Sequence, residues 1–228
     1  MWTDDHFLKA RPLEKEIQKG LQEVISSPDD SRLFLTQGFL GSTKDHRPTT
    51  FGREGSDYSA ALLARASEAS QVQIWTDVPG IASSDPRLVN KVRWIEHLHY
   101  DEASHMAREG AKILFPETLE PLRQGGIELR VCSTEEKSGG EGSVVSEVLP
   151  QAPRVVAIVP RLEGVSLVGH EIEKLKSLLE TDFKKVPEIQ KVESFPGVIR
   201  LWCEHSQVKT VTTSLHDSLE LERKNFQA

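Results

Sequence analysis

The sequence predicts an α/β domain with a mainly parallel sheet, followed by a small α+β domain. Helix-like and strand-like segments alternate through roughly the first 133 residues, the order that produces a parallel sheet covered by helices. A polar run rich in glycine and serine at 135–143 interrupts this alternation. The later order of strands and helices is typical of a small sandwich with its helices on one face. We therefore assign 1–133 to the first domain, 134–152 to a linker and 153–228 to the second domain.

Each element of the first domain is predicted from hydrophobic spacing and from the residues that end it. Apolar residues four positions apart predict a helix over 12–25, and a short apolar run predicts a buried strand over 33–36. The polar segment 41–55 is expected to be a surface loop. The remaining predictions are a helix over 56–66, a strand over 72–75, helices over 101–110 and 116–124, and a strand over 127–132.

The second domain is predicted to contain two pairs of strands, each followed by a helix. The strands are predicted over 154–159, 164–168, 189–194 and 198–203, and the helices over 171–179 and 207–221.

Two tryptophans of the first domain, Trp75 and Trp94, are expected in the core rather than as base-stacking groups.

Composition excludes several classes of function. The 228 residues include 28 Lys and Arg against 35 Asp and Glu, so a general nucleic-acid-binding surface has no support. No run approaches the roughly 18–20 apolar residues of a membrane-spanning helix, and the first residues do not resemble a signal peptide. Cys132 and Cys203 both follow apolar, strand-like residues, which suits buried thiols in a reducing compartment. We expect a cytoplasmic protein, and the spacing of the eight histidines predicts no metal site.

The segment 49–57 contains the first candidate binding site. Two glycines flank Arg53, and the segment leads into a predicted helix. The start of a helix presents unpaired N–H groups that favour an anion, and an arginine can hold a carboxylate or phosphate through two hydrogen bonds. Ser56 and Asp57 lie where this helix begins. A purely structural alternative is that Gly55 only turns the chain and that Ser56 and Asp57 only cap the helix.

A second group of candidates follows the strand predicted over 72–75. Thr76 and Asp77 stand at its carboxyl end, where open α/β sheets bind ligands. Arg87, in an Asp-Pro-Arg turn, and Lys112, after a predicted helix, could each reach a phosphate. The alternatives are that the Asp-Pro pair only starts a turn and that Lys112 is a solvated surface residue.

Five segments of this chain together resemble the second half of the kinase domain of an aspartokinase, within the amino acid kinase family. Their order and spacing agree over roughly residues 3–133, and the combination is far more specific than any one motif. The segments are 38–41, 49–63, 73–80, 85–87 and 110–114. The resemblance implies a three-layer αβα fold with a mainly parallel sheet, from which the N-terminal half is missing here.

The resemblance also implies an activity, namely transfer of the γ-phosphoryl group of ATP, with Mg²⁺, to the side-chain carboxylate of L-aspartate. This reaction is the first step toward lysine, threonine and methionine. The resemblance implies that Arg53, with Gly55 and Ser56, binds aspartate and that Asp57 orients the substrate or a catalytic lysine. On the nucleotide side, it implies contacts from Thr76, Asp77, Arg87 and Lys112. Phosphoryl transfer requires positioned cations and little covalent chemistry, which suits these residue types.

The sequence departs from the family pattern in three respects. Ala82 stands where family members usually carry tyrosine, and Phe115 stands where they usually carry histidine. The Lys-Phe-Gly-Gly type of loop that cradles the phosphates and supplies the catalytic lysine has no counterpart in these 228 residues. We therefore expect no appreciable turnover by this chain alone, and a homodimer or a partner that supplies the N-terminal half. The alternative function is a non-catalytic regulatory or assembly subunit that binds nucleotide or amino acid.

Residues 153–228 resemble, more weakly, the ACT regulatory domains that follow the kinase domain in aspartokinases. Those domains usually come as a pair that binds an end-product amino acid, whereas the length here suits one βαββαβ unit. The resemblance implies an amino-acid effector at this ACT-like domain, near the turn at 162–165. The alternative is a structural or dimerising module.

Overall fold

A computed structural model of the chain describes residues 1–25, 32–112, 115–135 and 142–221, together with the backbone of 226–227. Within these ranges, every helix is too short or too polar to span a lipid bilayer. The helices are α1 (Glu14–Val24), α2 (Gly55–Ala66), α3 (Tyr100–Glu109), α4 (Pro116–Gly125), α5 (Lys176–Phe183) and α6 (Val208–Ser218). The strands are β1 (Leu40–Ser42), β2 (Pro48–Thr50), β3 (Gln71–Thr76), β4 (Ile81–Ala82), β5 (Trp94–Ile95), β6 (His97–His99), β7 (Glu128–Ser133), β8 (Ser143–Ser146), β9 (Arg154–Val155), β10 (Ala157–Arg161), β11 (Gly164–Val168), β12 (Lys191–Phe195), β13 (Val198–Trp202) and β14 (Phe226–Gln227).

The chain divides into two compact units. The first unit comprises Met1–Ile74 and Phe115–Leu129, and the second comprises Trp75–Leu114 and Arg130–Ala228. The second unit therefore contains part of the predicted first domain as well as all of the predicted second domain. The predicted domain boundaries stay a prediction.

Three helices form the core of the first unit. Helix α2 packs against α1 and α4, and the contacts bury Ile17, Leu62 and Leu122. Spacings of three and four residues place such side chains on one face of each helix. Part of the segment predicted as a surface loop, 41–55, instead forms the hairpin of β1 and β2, in which Leu40 lies opposite Thr50.

The buried strand predicted over 33–36 is wrong. Among the described residues this segment pairs with no strand, and Leu33 and Leu35 are 96% and 97% exposed. An apolar run becomes a core strand only where neighbouring strands accept its backbone hydrogen bonds and other elements cover its side chains. The segment is therefore an exposed apolar stretch.

A four-stranded sheet with the order β3-β7-β8-β6 includes residues of the second unit. Strands β6 and β8 run parallel, with Leu98 opposite Val145. Strand β8 lies within the segment 134–152 that was predicted as a linker, and Val144 and Val145 are buried. The sequence pattern missed β8 because only two apolar residues stand beside a glycine-rich polar run, too few to define a period.

The second sheet of this unit is antiparallel, with the order β10-β11-β13-β12. Helix α6 packs against β10, β11 and α5. The strands predicted over 164–168, 189–194 and 198–203 and the helix predicted over 207–221 are confirmed within a few residues at each end. The strand predicted over 154–159 is instead divided into β9 and β10, and the helix predicted over 171–179 is a 3-10 turn at Ile172–Leu175 followed by α5. The core between sheet and helices is apolar, and its fully buried members include Ile158, Leu167, Leu179, Ile199 and Leu215.

Hydrogen bonds connect the segment after β4 to strand β10 within the second unit. The Ile158 N–H donates to the Ser83 carbonyl at 2.8 Å, and the Ser84 hydroxyl donates to the Ile158 carbonyl at 2.9 Å. Both serines are buried. These bonds satisfy buried polar groups and fix β10 beside the loop that carries Arg87.

The prediction that Trp75 and Trp94 lie in the core is wrong. Trp75 is 52% exposed and Trp94 is 36% exposed. Successive side chains of a strand point to opposite faces, so Trp75 shares the exposed face of β3 with Gln73, whereas Val72 lies on the buried face. Trp94 lines a cavity that is described below.

Candidate functional site

A tight turn before α2 positions the first group of predicted residues, in the first unit. Gly52 has a φ of +83°, and Glu54 adopts the left-handed conformation directly before the helix. A Cβ on Gly55 would lie 2.9 Å from the ring of Phe39 and 3.1 Å from the Cβ of Phe51. Glycine at this position therefore allows the helix to begin directly against these two phenylalanines.

The side chains at this turn are available to a ligand. Arg53 is 81% exposed, and its Nε lies 3.7 Å from a carboxylate oxygen of Glu54. Ser56 is exposed and Asp57 is half-buried. Helix α2 begins at Gly55, and its N-cap residue Glu54 makes no side-chain capping hydrogen bond. Asp57 is an acidic residue in the first turn of this helix, so the alternative of a purely structural role for Ser56 and Asp57 stays open.

Asp57 is electrostatically perturbed. Burial raises the pKa of its carboxyl group above the ordinary range, and the nearby charge of Glu54 raises it further. The Ser56 hydroxyl, which donates to Asp57 Oδ1 at 3.5 Å, opposes this shift. An added cation beside Asp57 would therefore be favourable.

Thr76 is the last residue of β3 and Asp77 follows it, both in the second unit. The Thr76 hydroxyl donates to Asp77 Oδ1 at 3.2 Å, and the Thr76 carbonyl accepts a hydrogen bond from the N–H of Thr134 at 2.8 Å. Asp77 is exposed. Neither residue is among the described residues that line the large cavity of this unit, although their neighbour Val78 is.

Arg87 is held by the turn that carries it. Its Nε and backbone N–H both donate to Asp85 Oδ1 at 2.9 Å, and its Nη2 donates to Asp85 Oδ2 at 2.5 Å. These hydrogen bonds and the positive charge of Arg87 lower the pKa of Asp85, and Lys112 contributes to the same shift. The Arg87 side chain nevertheless stays 67% exposed, so it remains accessible to an anion.

Lys112 follows a sharp turn of the chain at the C-terminal end of α3. Gly110 caps α3 with a φ of +107°, and the Ala111 N–H donates to the Met106 carbonyl at 2.9 Å. The positive φ is a conformation that favours glycine. As a result Ala111 and Lys112 reach the same cavity as Arg87.

This cavity, which we call the cationic cavity, has a volume of about 840 Å³ and lies within the second unit. Arg87, Lys112, Arg161 and Lys209 line it, and Asp85 is the only carboxylate residue among its described lining residues. Its other walls are largely apolar. A cavity of this size with an apolar body and convergent cations suits a small organic anion.

Arg161 and Lys209 were missed by the sequence reasoning. They lie on β10 and α6, and their spacing carries no signal of a shared site with Arg87 or Lys112. Arg161 also has a distinctive environment, since its Nη1 is buried without a hydrogen-bond acceptor among the described residues. Its Nε lies 3.6 Å from a carboxylate oxygen of Glu109, and its guanidinium stacks over the ring of Trp202.

No cluster suited to a metal ion was found in the described ranges, where three or more His, Cys, Asp or Glu side chains nowhere converge. The side chains that line the cationic cavity are mainly cationic or apolar. It therefore favours an anionic ligand over a directly bound metal.

Comparison with known proteins identifies related sequences and structures. Residues 3–133 match the amino acid kinase family. Lysine-sensitive aspartokinase 3 of Escherichia coli is 39% identical over 177 residues, which cover 78% of this chain and 39% of the relative. Aspartokinase of Chlamydia pneumoniae is 35% identical over 158 residues, which cover 68% of this chain and 35% of the relative. The matched segments thus span well under half the length of these relatives.

Two solved structures of E. coli aspartokinase III are similar to this chain. The complex with aspartate and ADP aligns with a TM-score of 0.64 at 32% identity, over 97% of this chain and 52% of that chain. The complex with lysine and aspartate aligns with a TM-score of 0.61 at 33% identity, over 96% and 51% of the two chains. These alignments confirm the predicted α/β fold class and the predicted resemblance to aspartokinases.

Proposed function

Because this chain belongs to the amino acid kinase family, we propose that it is part of an aspartokinase, which transfers the γ-phosphoryl group of Mg-ATP to the side-chain carboxylate of L-aspartate. The observation that carries this proposal is the cationic cavity. Arg87 and Lys112, which come from two separate sequence motifs, both line it. The complex of the E. coli relative with aspartate and ADP supports aspartate and an adenine nucleotide as the ligands.

The chemistry of the cationic cavity fits a nucleotide. Arg87 and Lys112 offer exposed cations to phosphate oxygens, and the buried Nη1 of Arg161 lacks an acceptor within the described residues. The apolar walls fit the uncharged part of a nucleoside. Because no side-chain cluster suits a metal in the described ranges, we propose that Mg²⁺ arrives bound to the phosphates.

In the proposed mechanism the cationic side chains provide most of the stabilisation of the transition state. Arg87 and Lys112 stabilise negative charge on the transferring phosphoryl group, and Asp85 holds the Arg87 guanidinium in a fixed orientation through two hydrogen bonds. Thr76 and Asp77 would contact the nucleotide from the end of β3. Such preorganised charges accelerate phosphoryl transfer without forming a covalent intermediate.

The aspartate substrate is proposed to bind at the turn before α2. Arg53 is exposed and can hold the α-carboxylate through two hydrogen bonds. Gly55 and Ser56 would shape the pocket next to the first N–H groups of the helix. Asp57, whose pKa is raised by burial and by Glu54, would be stabilised as a carboxylate by a substrate ammonium or a catalytic lysine.

We propose further that this chain is not competent for turnover alone, since its sequence has no Lys-Phe-Gly-Gly loop. Loss of a phosphate cradle and a catalytic lysine removes preorganised charge that typically contributes several orders of magnitude in rate. The exposed apolar residues Leu33 and Leu35 mark where the rest of a kinase domain would pack. The same two observations favour the second candidate function, a non-catalytic regulatory or assembly subunit.

The ACT-like domain at 153–228 is proposed to bind an amino-acid effector. Its antiparallel sheet with helices packed against it suits a small regulatory domain. The E. coli relative was solved in complex with lysine as well as with aspartate, which supports an amino acid as the ligand class. Leu162, in the turn between β10 and β11, is 72% exposed and therefore accessible.

Calorimetry and a hydroxamate assay test these proposals. We expect the full chain to bind Mg-ATP, and Arg87→Ala or Lys112→Ala to weaken binding at least about tenfold, since hydrogen bonds to charged groups contribute about 1.5–3 kcal/mol. Lys185→Ala, which changes an exposed lysine outside the cavity, is the matched control. No detectable binding of Mg-ATP would overturn the nucleotide site.

The hydroxamate assay addresses turnover. With Mg-ATP and L-aspartate, we expect this assay to detect no appreciable aspartyl phosphate from this chain alone. In calorimetry, we expect the chain to bind aspartate and Arg53→Ala to abolish that binding. Robust turnover that disappears in Arg53→Ala would contradict the proposed lack of competence while supporting the assignment of the aspartate pocket. Aspartate binding that persists in Arg53→Ala would overturn that assignment.

A further inference from the structure

Trp94 occupies an unusual position for a tryptophan. It lines the cationic cavity and is 36% exposed, although burial of an indole ring is strongly favourable. Within the described residues its ring contacts no other aromatic ring. Part of a large, flat π surface is therefore available to a ligand.

The backbone holds Trp94 in place. In the antiparallel pair β4–β5, Trp94 lies directly opposite Ala82. The pairing continues on one side, where the Ser83 N–H donates to the Arg93 carbonyl at 2.8 Å, and on the other side, where Ile95 lies opposite Ile81. A residue fixed by pairing on both sides is well suited to preorganised recognition.

The residue opposite Trp94 leaves room beside the ring. Side chains directly opposite each other in an antiparallel pair share one face of the sheet, with Cβ atoms about 4.5–5.5 Å apart. Ala82 contributes only a methyl group on that face, and it also lines the cavity. A larger side chain at Ala82 would cover part of the indole, whereas alanine leaves space for a planar group.

The chemistry around Trp94 indicates what that planar group is. Val78 and Met106 add apolar wall to the same cavity, while Arg87 and Lys112 supply the cations. A ligand that satisfies both parts is a flat heteroaromatic base joined to a polyphosphate. We propose that Trp94 stacks on the base of the bound nucleotide and is the residue that selects a nucleotide over a phosphate lacking a base. This inference rests on the proposed function, which places ATP in the cationic cavity.

The experiment distinguishes the contribution of the base to binding from that of the phosphates. Binding of ATP and of inorganic tripolyphosphate, both at constant Mg²⁺, is measured by calorimetry for the full chain and for Trp94→Ala, Trp94→Phe and Trp75→Ala. Stacking of a base on an aromatic side chain corresponds to about a 5- to 150-fold change in affinity. We expect Trp94→Ala to weaken ATP binding within this range and to change tripolyphosphate binding less than about twofold. Trp94→Phe keeps a ring and should restore most of the ATP affinity.

The Trp75→Ala control and two contrary results decide whether Trp94 stacks on the base. Trp75→Ala removes an exposed tryptophan outside the cavity and should leave both affinities unchanged. ATP binding that is unaltered in Trp94→Ala, or an equal loss for ATP and tripolyphosphate, would overturn the stacking role while leaving the nucleotide site intact. A wild-type chain that binds neither compound would overturn the proposed nucleotide site and the stacking role together. Circular dichroism of each variant establishes that a loss of affinity does not come from unfolding.

Discussion

Glu109, at the end of α3, is a buried carboxylate whose removal should clearly perturb the second unit. Its carboxylate accepts hydrogen bonds from the Ser166 hydroxyl at 2.5 Å and from Arg200 Nε and Nη2 at 3.1 and 2.7 Å. Arg161 Nε lies 3.6 Å away. The Glu109 side chain is only 6% exposed, so water cannot replace these partners without structural change. The perturbation is Glu109→Ala.

The magnitude follows from the groups that lose their partner. Breaking a buried ion pair by removing one side costs about 3–5 kcal/mol. Arg200 is 34% exposed and can be partly hydrated, which reduces this cost. Ser166 is fully buried, and a buried hydroxyl without its acceptor costs about 1–3 kcal/mol. We therefore expect Glu109→Ala to lower the free energy of unfolding by about 2–4 kcal/mol.

Urea unfolding followed by circular dichroism and tryptophan fluorescence measures this effect. With an m-value of about 2 kcal/mol per molar urea, the midpoint should fall by roughly 1–2 M. Lys174→Ala is the control, because it removes an exposed ion pair with Glu171 and should cost less than about 1 kcal/mol. A Glu109→Ala variant within about 0.5 kcal/mol of the wild type would refute the reasoning.

The same carboxylate predicts a pH dependence. Burial raises the pKa of Glu109, but hydrogen bonds from Arg200 and Ser166 outweigh it, so the pKa of the folded state lies below the ordinary value. A lowered pKa means that the contribution of Glu109 is fully present above the unfolded pKa of about 4.3 and is lost as the pH falls through the folded value. Glu109→Gln should therefore flatten the fall in stability below about pH 4.3. An unchanged acid limb in Glu109→Gln would contradict this.

Three further predictions concern other sites. Arg154→Ala removes the Nε and Nη2 donors that lie 2.8 and 2.6 Å from the buried Glu102 carboxylate, and should lower the free energy of unfolding in urea by about 3–5 kcal/mol. A loss below about 1 kcal/mol would be inconsistent with a buried ion pair. Gly197→Ala places a Cβ 2.6 Å from His105 Nε2 at a φ of +75°, and should lower the free energy of unfolding by about 1–2 kcal/mol; unchanged stability would count against strain there. Leu35→Asp changes a side chain that is 97% exposed, so it should alter the free energy of unfolding by less than about 0.5 kcal/mol. A loss above about 1 kcal/mol in urea unfolding would mean that this side chain is packed in the folded state.

Local patterns were sufficient for most helices and for the antiparallel sheet of the second unit. The helix predicted over 12–25 is α1 at Glu14–Val24, and the strand predicted over 198–203 is β13 at Val198–Trp202. In such segments the hydrophobic period and the neighbouring turn residues agree with the final structure. The short strands β4, β5 and β8 were not predicted, because two to four residues are too few to show a period.

The candidate site was only partly accessible to sequence reasoning. Arg87 and Lys112 were predicted from motif and resemblance, whereas Arg161 and Lys209 were not. The second pair reaches the cationic cavity from β10 and α6. Convergence of this kind depends on how β10 packs within the second unit, and no local pattern reports it.

By itself the sequence determined the order of most helices and strands, the family to which the chain belongs, and the residue types that can hold an anion. These depend on neighbouring residues and on recognisable spacings. Only the tertiary structure decided that residues 33–36 are exposed, that β8 enters a sheet, that Trp94 faces a cavity, and that four cations line the cavity together. The physical reason is that strand pairing and burial are set by contacts between residues distant in the chain, so the same apolar or charged residue can be core, surface or ligand site.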